Sequence, residues 1–150
     1  MPATTFFSLG AGRFREHSGL FFEEFAVGQR YAHRPGVTLS QQDNADETLD
    51  SYNGAMIHFD ARYAGQSSWA RPLMVSTLTV QRLVGMTSRT FGCRRDILGF
   101  REIGLTSPVF GGDTIYAESE VLEGRPGDAP GVGVVTVCLV GRKDRDNHGE

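Results

Sequence analysis

No uninterrupted apolar run in the sequence approaches the ~20 residues that a helical membrane span requires. The N-terminus, MPATTFFSLGAG, has no cationic flank leading into a long apolar stretch, so it lacks the form of a secretory signal. A basic excess is missing too. Fifteen Lys and Arg stand against 18 Asp and Glu, a formal charge of −3, which argues against a general nucleic-acid binder. Cysteine is scarce: Cys93 and Cys138 form no C-x-x-C pair, so neither a zinc ribbon nor a thioredoxin-like site is supported. Cys138 lies in a dense apolar run and reads as a small buried hydrophobe. Cys93 has Arg94 and Arg95 beside it but no partner nearby in sequence, which argues against a nucleophile. No internal repeat is visible. What is present, 39% hydrophobic and 22% charged residues over 150, is the balance of one globular domain that needs no disulfide or metal staple. The expectation is a soluble, cytoplasmic chain without metal or cofactor, and without a nucleic-acid or membrane partner.

Residues 1–18 are Gly-rich and loosely patterned and read as an N-terminal arm; residues 19–150 read as the domain. In GLFFEEFAVG, Phe21, Phe22 and Phe25 can bury one side of a short amphipathic segment. Residues 30–39 read as a strand interrupted by Pro35-Gly36, and a proline there predicts an edge strand or a bulge. Ser40 followed by Asp43 resembles a capping pair, opening a helix over residues 41–52 that stops at Asn53-Gly54. Asp43, Asp46 and Glu47 fall in its first two turns, where the helix dipole favours negative charge. Asp60 is a second N-cap, before a short helix over residues 61–64.

Residues 74–87 are apolar nearly all round, which predicts a longer, buried helix entered through Pro72. Three strands are predicted after it. Residues 94–105 are the first, and Pro108-Val109-Phe110-Gly111-Gly112-Asp113 turns the chain. Residues 114–122 are the second, with Glu118 and Glu120 on one face and Ala117, Ser119 and Val121 on the other. A flexible Gly/Pro loop over residues 124–131 leads to residues 132–140, apolar on both faces and so predicted to be a central strand. The polar tail RKDRDNHGE carries His148-Gly149, a turn towards a further strand, and the chain reads as truncated there. One buried helix among strands is an α+β layout, an antiparallel sheet wrapped on a central helix.

Of the histidines His17, His33, His58 and His148, only His58 falls in a structured context and not in an arm or a turn. It follows a helix end and precedes an N-cap, in a loop able to aim an imidazole into a cleft for acid–base work near neutral pH. By position alone, a satisfied or surface histidine is the commoner alternative.

The run Asn53-Gly54-Ala55-Met56-Ile57-His58-Phe59-Asp60-Ala61-Arg62-Tyr63-Ala64 resembles the hydratase motif of the MaoC-like, hot dog-fold enoyl-CoA hydratases, where D-x-N-P-[IL]-H precedes x-D-x-x-[YF]-A. The resemblance extends to Phe22-Glu23-Glu24-Phe25-Ala26-Val27-Gly28-Gln29-Arg30-Tyr31, to the helix start at residues 38–43, and to Ser107-Pro108-Val109-Phe110-Gly111-Gly112-Asp113-Thr114, similar to the family's P-V-F-x-G-D-T turn. Two departures stand out. The family's catalytic Asp, five residues ahead of the histidine, is Asn53 here, and the motif's Asn and Pro are Ala55 and Met56. Where many relatives have His-Gly at the start of the long helix, this chain has Val75-Ser76. The stretch Arg71-Pro72-Leu73-Met74-Val75-Ser76-Thr77-Leu78-Thr79 is similar to the mesaconyl-CoA and itaconyl-CoA hydratase branch, which also tends to carry Asn at the position of Asn53.

The resemblance implies a hot dog fold with one long helix against a curved antiparallel sheet. It also implies a hydratase or dehydratase acting on a small branched or dicarboxylic enoyl thioester carried by CoA or an acyl-carrier protein, in a homodimer or higher homo-oligomer. His58 would move protons, Asn53 would orient water or the carbonyl, and the Ser76 amide, with Val75, would polarise the thioester carbonyl. Arg71 and Arg82 are candidates for the substrate carboxylate, and Arg94 and Arg95 for the carrier's phosphates, against the alternative of solvated surface charges. Asp46 and Asp50 can share one helix face towards the site, and Asp50 is a candidate substitute acid, against the commoner alternative of a solvated helix surface. A second reading, favoured by Asn53, Ala55 and Met56, is a non-catalytic thioester-binding or partner subunit. A thioesterase is the weakest reading, because residues 74–87 contain no acid.

Overall fold

The computed structural model describes residues 4–143. Its strands are β1 (Thr4–Gly10), β2 (Arg13–Ser18), β3 (Arg30–Thr38), β4 (Thr114–Pro126) and β5 (Gly133–Lys143), and its helices are α1 (Gln41–Asp50), α2 (Ala61–Ala64) and α3 (Ser76–Met86). Short 3-10 turns occupy Phe22–Glu24, Met56–His58 and Thr87–Arg89. β1 pairs with β2, and the remaining strands form one sheet in the order β3-β4-β5. This is the α+β class. No helix among the described residues is long and apolar enough to cross a membrane. The described residues divide into two compact units, one from residues 4–34, 84–99 and 117–140, the other from residues 35–83, 100–116 and 141–143.

In the first unit the predicted arm is an antiparallel hairpin, with Thr5 opposite His17 and Phe7 opposite Arg15. The reversal at its tip uses positive φ at Gly10, Ala11 and Gly12. Phe6 and Phe14 stay about two-thirds exposed, so the hairpin lacks the one-sided apolar alternation that would have marked it as strand. His17 stacks on Phe21 at 5.1 Å and has its Nε2 3.6 Å from the Cys93 sulfur, a partner 76 residues away in sequence. β4 alternates as predicted: Ala117, Ser119 and Val121 are buried while Glu118 and Glu120 are partly open.

In the second unit, Ser40 caps α1 by accepting from the Asp43 amide at 3.0 Å, and Asp60 caps α2 by accepting from the Tyr63 amide at 2.9 Å. β3 runs unbroken through Pro35-Gly36, not interrupted as predicted; a Cβ at Gly36 would lie 2.5 Å from the Tyr116 ring, so glycine makes room for that ring. β3 stands at a sheet edge, where Pro35 leaves no ladder bond unmade. The turn before β4 is closed by the Asp113 carboxylate, which accepts from the Phe110 amide at 3.0 Å, and by Leu39, which exchanges backbone bonds with Gly112 and Asp113.

Four predicted features differ. Residues 94–105 form no strand and are exposed throughout, because apolar spacing supplies no ladder partner and none of the described strands pairs with them. β5 stands at the end of the strand order instead of its centre. Cys138 is accordingly exposed and not buried. α3 begins two residues later than predicted and buries only Leu78 and Thr79, with Met74 and Val75 buried just ahead of it; its other faces are partly or fully open. The turn predicted at His148-Gly149 lies outside the described residues.

His33, which sequence context did not set apart, is buried in β3 at 3% exposure. Its Nε2 meets Ser119 Oγ at 2.8 Å and its Nδ1 meets Thr90 Oγ1 at 3.2 Å. Burial first, and the Arg34 charge second, hold its pKa below the ordinary 6.5. Below that pH the unfolded chain binds a proton that the folded chain resists, so stability is full above the ordinary value and falls as the solution is acidified. The urea midpoint should therefore drop between about pH 7.5 and pH 5.5, and His33→Gln should flatten the decline. An unchanged slope in the variant would show that other groups carry it.

Candidate active site

α1 has little apolar surface to bury, and Leu49 is about half exposed. Its inward face is polar instead: Asn44 and Thr48, one turn apart, are both wholly buried. Asn44 Nδ2 donates to the carbonyls of His58 at 2.8 Å and Leu73 at 3.0 Å, and approaches Gln41 Oε1 at 3.2 Å. Its Oδ1 accepts from the Val75 amide at 2.7 Å. Thr48 donates back to the Asn44 carbonyl at 2.6 Å. One side chain thus fixes the loop that carries His58, the strand-like approach to α3 and the start of α3 itself.

The loop between α1 and α2 is wound tightly. Tyr52 takes a left-handed φ of 56° and is almost fully exposed, and the Asn53 amide returns to the Thr48 carbonyl at 2.9 Å. The Met56–His58 turn follows, with Gln41 Nε2 donating to the His58 carbonyl at 2.8 Å. Leu73 is held on both sides, by its amide to the Ile57 carbonyl at 3.0 Å and by an antiparallel bridge to Phe110.

The Leu73 carbonyl also meets His58 Nδ1 at 2.8 Å. A carbonyl can only accept, so Nδ1 carries the hydrogen and the neutral ring keeps its lone pair on Nε2. Among the described residues no group bonds Nε2. His58 lines an open cleft of about 360 Å³ with Trp69, Leu73, Met74, Ser76, Thr79 and residues 105–109. The walls are mostly apolar, with the hydroxyls of Ser76, Thr79, Thr106 and Ser107 among them, a lining suited to a short acyl chain. Ser76 is the first residue of α3, so its amide belongs to the turn that lacks intrahelical acceptors and carries the positive end of the helix dipole. His58 and Ser76, an imidazole and the first residue of a helix, therefore line one cavity.

The other sequence-derived candidates fall in different places. Asn53 does not line the cleft; its carboxamide oxygen accepts from the Ala55 amide at 3.0 Å, within its own loop. The Val75 amide is taken by Asn44, which leaves Ser76 as the one of the two amides without a described acceptor. Arg71 is exposed, with its guanidinium carbon 3.9 Å from the centre of the Phe110 ring, and Phe110 in turn lies 6.1 Å from the cleft residue Trp69. Arg82 pairs with Asp43 at 3.2 Å, beside the bond from Gln81 to Glu47. Asp46 and Asp50 are exposed, and Asp46 accepts from Gln42. Arg94 and Arg95 lie on the exposed stretch after Cys93. Among the described residues no three His, Cys, Asp or Glu side chains are grouped to hold a metal. Sequence reasoning missed Asn44, and the available signal was a polar i, i+4 pair, Asn44 and Thr48, where a packed helix should have been apolar.

The model of the MaoC like domain family matches residues 23–141. A beta-methylmalyl-CoA dehydratase of Chloroflexus aurantiacus is 26% identical over 133 residues, covering 87% of this chain and 38% of that protein. A mesaconyl-CoA hydratase of Cereibacter sphaeroides is 28% identical over 120 residues, covering 80% and 34%. The chain thus spans little more than a third of either curated relative. The solved structure of the unliganded R-hydratase PhaJ1 from Pseudomonas aeruginosa superimposes with a TM-score of 0.69 at 20% identity, over 84% of this chain and 77% of that one.

The Arg82–Asp43 pair, with both side chains over 40% exposed, is a surface contact. Arg82→Ala is expected to cost no more than ~1 kcal/mol in a urea titration, and the difference should shrink at high salt. A larger, salt-independent loss would place Arg82 in a buried role.

Proposed function

The chain belongs to the MaoC-like domain family, and from that membership we propose that it adds water to, or removes it from, the α,β double bond of an acyl thioester. The observation that carries this reading is His58, with Nδ1 anchored on the Leu73 carbonyl, lining a cleft together with Ser76, the first residue of α3. In the hydration direction the thioester carbonyl accepts from the Ser76 amide, which stabilises the enolate oxygen as water adds at the β carbon. His58 Nε2 takes the proton from that water and returns it to the α carbon, and the Leu73 carbonyl steadies the imidazolium in between. Neither step needs a metal or a cofactor.

The substrate class favoured is a small branched or dicarboxylic enoyl-CoA. Support comes from the names of the two curated relatives and from the short, mostly apolar cleft, with Arg71 held over Phe110 near its Trp69 wall. An Arg in that position suits a second carboxylate. We take the working form to be a homodimer or higher homo-oligomer, since Ile97, Leu98, Phe100, Ile103 and Leu105 leave an apolar row at least 48% exposed in the single chain. One observation favours a second reading. Asn53 turns its carboxamide into its own loop, and a site short of one acid–base group suits a non-catalytic thioester-binding or partner subunit.

Crotonyl-, mesaconyl- and itaconyl-CoA, incubated with wild type and His58→Ala and read by product mass, separate hydration from hydrolysis and from binding alone. Hydration by the wild type is expected, with His58→Ala slower by ~10²–10⁴-fold. Arg71→Ala should raise KM for mesaconyl-CoA more than for crotonyl-CoA. Full activity in His58→Ala would sink the assignment, and calorimetric binding without turnover would establish the partner-subunit reading.

A further inference from the structure

His58 needs its hydrogen on Nδ1 if Nε2 is to receive a proton from water, and that choice is made outside the ring. A histidine in water favours the opposite tautomer, with the hydrogen on Nε2, so the protein must hold an acceptor in front of Nδ1. That acceptor, the Leu73 carbonyl, lies on a non-helical stretch between α2 and α3 that Gly and Ser residues precede, and it is not part of a regular strand. What keeps it in place includes the Leu73 amide bond to Ile57, the bridge to Phe110, and the donation from Asn44 Nδ2 at 3.0 Å. The same carboxamide group reaches the His58 carbonyl with its nitrogen and the Val75 amide with its oxygen. Asn44 therefore touches the backbone of the base, the backbone of the base's anchor, and the residue preceding the oxyanion-type amide, from a position with no solvent exposure.

We infer that Asn44 is a positioning residue that fixes the proton-accepting tautomer of His58 and, with the same side chain, sets the N-terminus of α3 against it. The inference rests on the proposed role of His58 for its catalytic consequence, but not for its structural content. An amide is the group the position calls for. Two carbonyls need donors on one side and a backbone N–H needs an acceptor on the other, and only a carboxamide presents both in a side chain of this size. The substitution Asn44→Asp would keep the acceptor for Val75 and place a carboxylate oxygen against two carbonyl oxygens. Such a carboxyl would be driven to protonate, and it would then donate to only one of the two carbonyls.

The test is nitrogen NMR of histidine-labelled protein, with the His58 signals identified by their loss in His58→Gln. The wild type is expected to show His58 with its hydrogen on Nδ1 at neutral pH, and finding it on Nε2 would overturn the inference without any variant. Asn44→Asp and Asn44→Ser, checked for folding by circular dichroism, should show a mixture of the two tautomers. Both should lose at least tenfold in kcat for whichever enoyl-CoA the wild type hydrates, with KM changed less than threefold. Gln41→Met, which removes a neighbouring bond to the His58 carbonyl, should keep the wild-type tautomer. A folded Asn44 variant with the wild-type tautomer and kcat would refute the inference. A tautomer shift in a chain that turns over no thioester would leave the positioning intact and reject the hydratase reading instead.

Discussion

A carboxamide with no access to water must satisfy its two donors and its acceptor inside the protein or forfeit about 1–3 kcal/mol for each group left over. Asn44 meets that demand by bonding to three backbone groups on two separate stretches of chain, at His58 and at Leu73 and Val75. The constraint runs both ways. Those three backbone groups lie in loops or at a helix start, where regular ladders cannot satisfy them, and a fixed amide gives each a definite partner. In the same unit Leu39, Met74, Val75 and Leu78 are buried to within a few per cent of complete enclosure. Hydrophobic burial supplies the general cohesion here, while the polar centre determines which loop conformation is formed. Without it, the loop from Asn53 to Asp60 and the approach to α3 would keep the Gln41 bond to the His58 carbonyl, the mutual bonds of Leu73 with Ile57 and His58, and the bridge to Phe110. They would lose the one side chain that ties both segments to α1.

This arrangement explains why α1 looks weak as a helix and is nevertheless well placed. Its residues alternate polar types without an apolar stripe, and little hydrophobic energy holds it. Its position comes from the Ser40 cap, from buried Asn44 and Thr48, and from two side-chain links to α3 at its surface, Arg82 with Asp43 and Gln81 with Glu47. The surface links are worth little singly. They lie on the same helix that presents Asn44 inward, so whatever they contribute also restrains α1 against the helix whose first residue, Ser76, lines the cleft.

Much of this was legible in the sequence where the signal is local. The caps at Ser40 and Asp60, the two-residue alternation of β4, the edge position forced by Pro35, and the turn closed by Asp113 each depend on residues within a few positions of one another. The hot dog fold and the family were legible through motifs of the same kind, around His58 and around Phe110. What was not legible depended on distant partners. The strand pattern of residues 94–105 did not reveal that no described strand pairs with it, and the two-sided apolar character of β5 did not reveal its place at the end of the order. His33 and Cys93 owe their surroundings to residues 57 and 86 positions away in the one case and 76 in the other. Asn44 is the sharpest instance, because its role is set by contacts 14, 29 and 31 residues along the chain.

The same logic bears on the missing carboxylate. With Asn at position 53, His58 is the one titratable side chain among the described residues that line the cleft, and general acid–base catalysis by a second would ordinarily be worth ~10²–10⁴ in rate. Removing one oxyanion donor costs about as much, ~3 kcal/mol. A site that keeps a well-placed helix-terminal amide and a base of fixed tautomer therefore retains terms as large as the one it lacks. Their size depends on placement, since a displacement of about 1 Å is enough to lose ~10²-fold. In this chain Asn44 bonds the His58 carbonyl, the carbonyl that anchors the His58 ring and the amide just ahead of Ser76. On the proposed reading, the chemistry open to the cleft is therefore set less by how many ionisable groups line it than by one neutral side chain behind it.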